Sequence, residues 1–155
     1  MLLHPIRLFI EERHNRSSTD LINCDSSLHF SGTWLPSHAI DLHQDGELNS
    51  HVDSVRFSGN LVAGLSLQSD AIMRLKRSCD SLSSNEKGDT NETSKTIGSS
   101  EYVDMLLPRR SLYVLSGISR YGFSHELLPC GSHFQNTVPI QRGRRISIIF
   151  RDAKI

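Results

Sequence analysis

From residue 37 onward the chain is a succession of short apolar runs with a period of two, each closed by a turn signal, and this pattern constrains the fold more than any other feature. In an extended segment successive side chains point to opposite faces, so each run buries one face or both. Strands are expected at His38–Leu42, Glu47–Phe57, Leu61–Leu67, Ala71–Leu75, Tyr102–Leu107, Ser111–Leu115, Tyr121–Leu127 and Arg144–Arg151. Asp45-Gly46 reads as a hairpin turn, Gly59-Asn60 as a second turn and Pro108 as a break. Many short strands with little helix among them predict an all-β antiparallel sandwich or jelly roll.

Two segments stand outside the pattern. Residues 1–36 form an N-terminal segment: a short helix over 1–14 packing Leu3, Ile6, Phe9 and Ile10, then an irregular stretch anchored by Trp34. Basic and serine residues near the start are also what a mitochondrial transit peptide would use, but Glu11 and Glu12 argue for an ordinary helix. Residues 78–100 are almost wholly Ser, Thr, Asn, Gly and charge. They carry too little apolar surface to offset the entropy of ordering, and read as a flexible insertion within one domain over 37–152.

With 155 residues and a net charge of zero, the chain has room for one core and no general field for polyanions. No apolar run approaches the roughly 18 residues of a transmembrane helix. Cys24, Cys79 and Cys130 are odd in number and far apart, and read as free thiols. Basic charge gathers at the C-terminal end: residues 101–155 hold eight Lys/Arg against four Asp/Glu, and Arg142, Arg144, Arg145 and Arg151 lie within ten residues.

Read in alternation, the last strand has one face of Arg145, Ser147, Ile149 and Arg151 and another of Ile146, Ile148 and Phe150. The apolar face must pack on a core. The other is either a solvated surface or the wall of a pocket in which fixed guanidinium groups and a serine hydroxyl bind a dicarboxylate or a phosphate. A second constellation is His51-Val52-Asp53, whose His and Asp share one face if the segment is extended. With a further histidine they would make the two-histidine, one-carboxylate set of non-haem Fe(II) oxygenases. Two histidines stand downstream as candidates: His125, in a strand-like segment, and His133, in a polar loop with no strand to hold it. A structural role for each remains an alternative on these residues alone.

In order along the chain, Asp41-Leu42-x-x-Asp45-Gly46, His51-Val52-Asp53-Ser54, Ala63-Gly64-Leu65-Ser66-Leu67, Met73-Arg74-Leu75, Ser111-Leu112-Tyr113-x-Leu115-x-Gly117, Arg120-Tyr121-x-Phe123-Ser124-His125-Glu126 and Arg142-Gly143-Arg144-Arg145-Ile146-Ser147 together resemble the AlkB branch of Fe(II)/2-oxoglutarate-dependent dioxygenases, in particular its mitochondrial members. The resemblance covers residues 34–152. It implies a double-stranded β-helix of the cupin-like kind, with Fe(II) held by His51, Asp53 and His125. It further implies 2-oxoglutarate and O2 as cosubstrates, with Arg145, Ile146, Ser147 and Arg151 of the last strand and Tyr113 binding 2-oxoglutarate. The activity implied is oxidative hydroxylation or demethylation of a protein or RNA substrate in the mitochondrial matrix, with a link to fatty-acid metabolism and programmed necrosis; separately, a monomer is expected.

The sequence also departs from that family. Its usual Asn-x-Tyr before the iron strand is replaced by Ile40 and Leu42, and its Arg-x-Asn-x-Thr-x-Arg by Arg145-x-Ser147-x-Ile149-x-Arg151. Ahead of His51 the aromatic residues are Phe9, Phe30 and Trp34, too few for a lid that grips a flipped base, so no strong nucleic-acid surface is expected. The N-terminal part reads as short for the family. A non-catalytic β-helix that binds metal or 2-oxoglutarate as an interaction or sensor module is the competing expectation.

Overall fold

The computed structural model describes residues 3–19, 30–78 and 102–154. The insertion expected at 78–100 lies, from residue 79 on, outside the described residues, as do Cys24 and Cys79; Cys130 is a free, exposed thiol.

Two four-stranded antiparallel sheets make the body, a mainly β jelly roll of the double-stranded β-helix kind. The first contains β1 (His38–Leu42), β3 (Ser58–Leu67), β6 (Ser111–Ser116) and β10 (Arg145–Ala153), in the order β1-β10-β3-β6. The second contains β2 (Leu48–His51), β4 (Ala71–Arg77), β5 (Tyr102–Leu107) and β7 (Phe123–Leu127), in the order β2-β7-β4-β5. A two-residue pair, β8 (Ser132–His133) with β9 (Pro139–Ile140), closes the loop before the last strand. Helix α1 (His4–Thr19) lies on the outer face of the first sheet, and α2 (Ile118–Tyr121) is a single turn leading into β7.

The central strands β3 and β10 are covered on both sides, which is why Leu61–Leu67 reads as a nearly unbroken apolar run. On the outer side Leu61, Ala63 and Phe150 pack against Ile10 of α1, with Leu3, Ile6, Trp34 and Ile148 around them. Each fully buried side chain of this size contributes about 1.5–3 kcal/mol of transfer free energy. On the inner side Val62, Leu115 and Ile149 meet Ile40, Leu75 and Tyr113, and a neighbouring cluster of Ala71, Met73, Leu107 and Leu127 fills the space between the sheets.

Several expectations are corrected. The helix runs to Thr19, and Phe9, expected on its packed face, is half exposed with Arg13 over its ring. Asp45-Gly46 does not join a hairpin: β1 pairs with β10 and β2 with β7, so the chain crosses between sheets there. Arg142 fixes that crossing by donating to the carbonyl oxygens of His43 and Gly46. Gly59-Asn60 is strand, not turn. A Cβ at Gly59 would lie 2.6 Å from the Ala153 carbonyl oxygen, so glycine serves close strand approach there. The expected strand over Tyr121–Leu127 starts at Phe123, after the α2 turn. The one over Glu47–Phe57 stops at His51.

Candidate metal centre

The early end of β2 shapes the site. His51 sits opposite His125 in the antiparallel pairing of β2 with β7, and their ring centroids are 4.3 Å apart. Past His51 the chain leaves the sheet. The Asp53 carbonyl, which a longer strand would use in its ladder, instead accepts a hydrogen bond of 2.9 Å from Nη1 of Arg120. Asp53 thereby turns its carboxylate inward beside the two histidines. The ligand-capable atoms of His51, Asp53 and His125 all lie within 4.8 Å of one another, the one such group of three among the described residues. His133, the other downstream candidate, is exposed on the β8–β9 pair, where its Nδ1 donates to the Thr137 carbonyl, and it takes no part.

The donor set fits a divalent metal. His51 donates from Nδ1 to the Asn49 carbonyl oxygen at 2.8 Å, which fixes the tautomer and leaves Nε2 with its lone pair. Asp53 and His125 are buried, and Nε2 of His125 faces Oδ2 of Asp53 at 3.7 Å. Burial first, and the nearby His51 second, push the His125 pKa down to about 4, with Asp53 opposing them. The ring is therefore neutral near pH 7, the form that binds a metal.

The strand β10 delivers the two expected arginines to different places. Arg151 reaches Oδ1 of Asp53 through both Nε, at 3.0 Å, and Nη2, and lies against His38 with Nη1 3.1 Å from Nε2. Arg145, six residues earlier, is fully buried and donates from Nε to the Ser66 hydroxyl at 3.0 Å, while its Nη2 has no hydrogen-bond partner. Tyr113 lies beside it. Burial above all raises the Tyr113 pKa and lowers that of Arg145, each moderating the other. Tyr113 finds room because its register partner is Gly64, where a Cβ would come within 2.3 Å of the ring.

His51, Asp53, His125, Tyr113, Arg145, Ser147 and Arg151 all line one narrow cavity between the sheets, with Ile40 and Met73 among the apolar walls. Ile146 does not: alternation turns it to the opposite face of β10. A second, open cavity of about 380 Å³ lies outside, lined by Leu35, Pro36, His38, Ser54, Phe57 and Ser58, and shares Asp53 and Arg151 with the first. The Asp53–Arg151 pair thus stands between the two. Arg120 and His38 were given no role on sequence grounds. Neither has a spacing signature, since each acts on residues far away in the chain.

No family model matches the chain. It is 40% identical over 114 residues to the mitochondrial alpha-ketoglutarate-dependent dioxygenase alkB homolog 7 of Bos taurus, a match covering 74% of this chain and 43% of that protein. It is 38% identical over 116 residues to the same protein of Mus musculus, covering 75% and 44%. A solved chain from Bacillus endospore appendage pili superposes with a TM-score of 0.31 at 12% identity, over 86% of this chain and 98% of that one, too loosely for any argument. The chain spans less than half the length of the curated relatives it matches. Over the matched stretch it is a partial homologue of AlkB-type 2-oxoglutarate-dependent dioxygenases, with a His-Asp-His group in its interior.

Proposed function

We propose that this chain forms the catalytic β-helix of an Fe(II)/2-oxoglutarate-dependent dioxygenase, with His51, Asp53 and His125 holding iron. The observation that carries the reading is the convergence of two imidazoles and one carboxylate in the interior, with no fourth protein ligand among the described residues. That set suits a metal which must keep positions open for other ligands. When bound, iron with 2-oxoglutarate and O2 would supply oxidative decarboxylation to succinate and CO2 coupled to hydroxylation of a substrate C–H bond. If that carbon is an N-methyl, loss of formaldehyde leaves the demethylated amine.

The chain's own residues divide the remaining work. The unpartnered Nη2 of Arg145 is a buried cationic donor awaiting an acceptor, and the distal carboxylate of 2-oxoglutarate answers it, with Tyr113 and Ser147 beside it. Arg151 is assigned a different task from Arg145: it holds Oδ1 of Asp53 and leaves Oδ2 toward the histidines. The inner cavity has about 20 Å³ of free volume, the room of one water, so its side chains must swing aside to admit a diacid. The outer cavity, with apolar Leu35, Pro36 and Phe57, is the side from which a protein or RNA substrate would approach. The likeness to relatives named as mitochondrial supports assigning that work to mitochondria.

The narrowness of the inner cavity favours one rival, a metal-binding module without turnover. Succinate release decides between them. Purified protein with Fe(II), 2-oxoglutarate and O2 should form succinate above a His51→Ala control even without substrate. Stoichiometric 2-oxoglutarate binding with no succinate above that control would establish the rival.

A further inference from the structure

Arg120 is the largest fully buried side chain that the metal chemistry does not use, 2% exposed, on a single helical turn outside both cavities. Its guanidinium reaches more than sixty residues back in the chain. Nη1 donates to the Asp53 carbonyl at 2.9 Å, and Nη2 to the Ser58 hydroxyl at 2.7 Å and, more weakly, to the Ser54 carbonyl at 3.4 Å. Ser58 in turn donates to the Ser54 carbonyl at 2.9 Å, which closes the loop between the metal-ligand Asp53 and the start of β3.

Residues 52–57 form no ladder in either sheet; the turn that follows Asp53 is closed by the Ser58 amide donating to the Ser54 carbonyl at 3.2 Å, while the Asp53 carbonyl itself is held by Arg120. The turn α2 is itself held. Ser119 bonds back to the Ser116 backbone, and the single proton of the Tyr121 hydroxyl is shared between the Gly59 carbonyl and Oδ1 of Asn60. A buried cation bonded to backbone carbonyls is costly to remove and rigid while present. It also carries charge: Asp53 favours the Arg120 cation against its burial.

We propose that Arg120 is a positioning residue for the metal centre: it clamps the 53–58 loop by its carbonyl groups and so sets the aim of the Asp53 carboxylate, without touching metal or substrate. This rests on the proposed iron site, and it adds that metal affinity is governed from the far side of the ligand loop. Residues that orient metal ligands typically alter affinity by 10- to 100-fold when replaced.

The test is Co(II) binding to the full chain, read from the visible bands of the bound ion, for wild type, Arg120→Lys, Ser58→Ala and Tyr121→Phe. Melting of each metal-free protein is measured alongside. Expected is a Kd raised about 10- to 100-fold in Arg120→Lys and by about tenfold in Ser58→Ala, which loosens the loop while keeping the buried cation. Tyr121→Phe, which loses one tie of α2 to Gly59 and Asn60 but leaves the Ser119 ties and all the Arg120 bonds to the loop, keeps wild-type affinity. Wild-type affinity in a folded Arg120→Lys overturns the proposal. If that variant does not fold, wild-type affinity in Ser58→Ala overturns it, as does an equal loss in Tyr121→Phe, which would mark a general loosening of α2. Absence of Co(II) binding by the wild type would instead overturn the iron site on which the clamp rests.

Discussion

His125 shows how one side chain's surroundings decide its chemistry. Burial and the facing His51 keep its ring neutral, with a pKa near 4 against about 6.5 in an unfolded chain. Between those values the unfolded chain binds the proton and the folded one does not, so folding stability rises with pH across that window. Metal-free protein should therefore lose melting temperature as pH falls from about 6.5 toward 4, and His125→Asn should flatten that slope. A slope as steep in the variant would assign the effect elsewhere. Arg145 makes the complementary case for binding. Its free Nη2 predicts that Arg145→Gln weakens 2-oxoglutarate by about 10- to 100-fold, the worth of a charged hydrogen bond, while leaving Co(II) affinity unchanged. Calorimetric titration of 2-oxoglutarate into the metal-loaded protein measures this, and equal affinities would remove Arg145 from the cosubstrate site.

At the scale of elements, the last strand was the most legible part of the sequence, because its alternation is strict: Ile148 and Phe150 pack toward the helix, while Arg145, Ser147, Ile149 and Arg151 line the cavity. The strands were legible where β-branched and apolar runs are long, as in β3 and β10, although β3 begins at Ser58, ahead of its apolar run. They were not legible where a long-range hydrogen bond overrides the local pattern. Nothing between Glu47 and Phe57 announces that Arg120 will take the Asp53 carbonyl and end β2 at His51. Likewise Asp45-Gly46 is a sound turn, and only pairing across the sheets shows that it links two sheets and not one hairpin. The two arginines of β10 share a face, as alternation requires, but their separate partners, Ser66 and Asp53, could be seen only once β3 and the ligand loop were in place. The β3–β6 pair also carries a sharp packing constraint. Gly64→Ala would drive a methyl group into the Tyr113 ring, so it should cost roughly 1–3 kcal/mol in urea unfolding and weaken 2-oxoglutarate by moving Tyr113. Unchanged stability and unchanged 2-oxoglutarate affinity would show that the ring has room to move and no part in binding.

On the scale of the molecule, the two sheets divide the labour. The second sheet, through β2 and β7, presents both histidines; the first, through β10, presents both arginines; and the loop joining β2 to β3 brings Asp53 between them. Chain-distant residues meet because a jelly roll folds both sheets over one interior, which is why neither half of the site is meaningful alone. The helix α1 covers the outer face of the first sheet, so that β10 can be apolar on one side and charged on the other without exposing either. If this interior holds iron and 2-oxoglutarate together, anaerobic titration of Fe(II) into the protein with 2-oxoglutarate present will show it through the visible charge-transfer absorption of a 2-oxo acid chelated to iron. The wild type should develop this absorption with saturation at a single site, and Asp53→Ala and His125→Ala should not. No absorption in the wild type, or the same absorption in both variants, would contradict that joint binding.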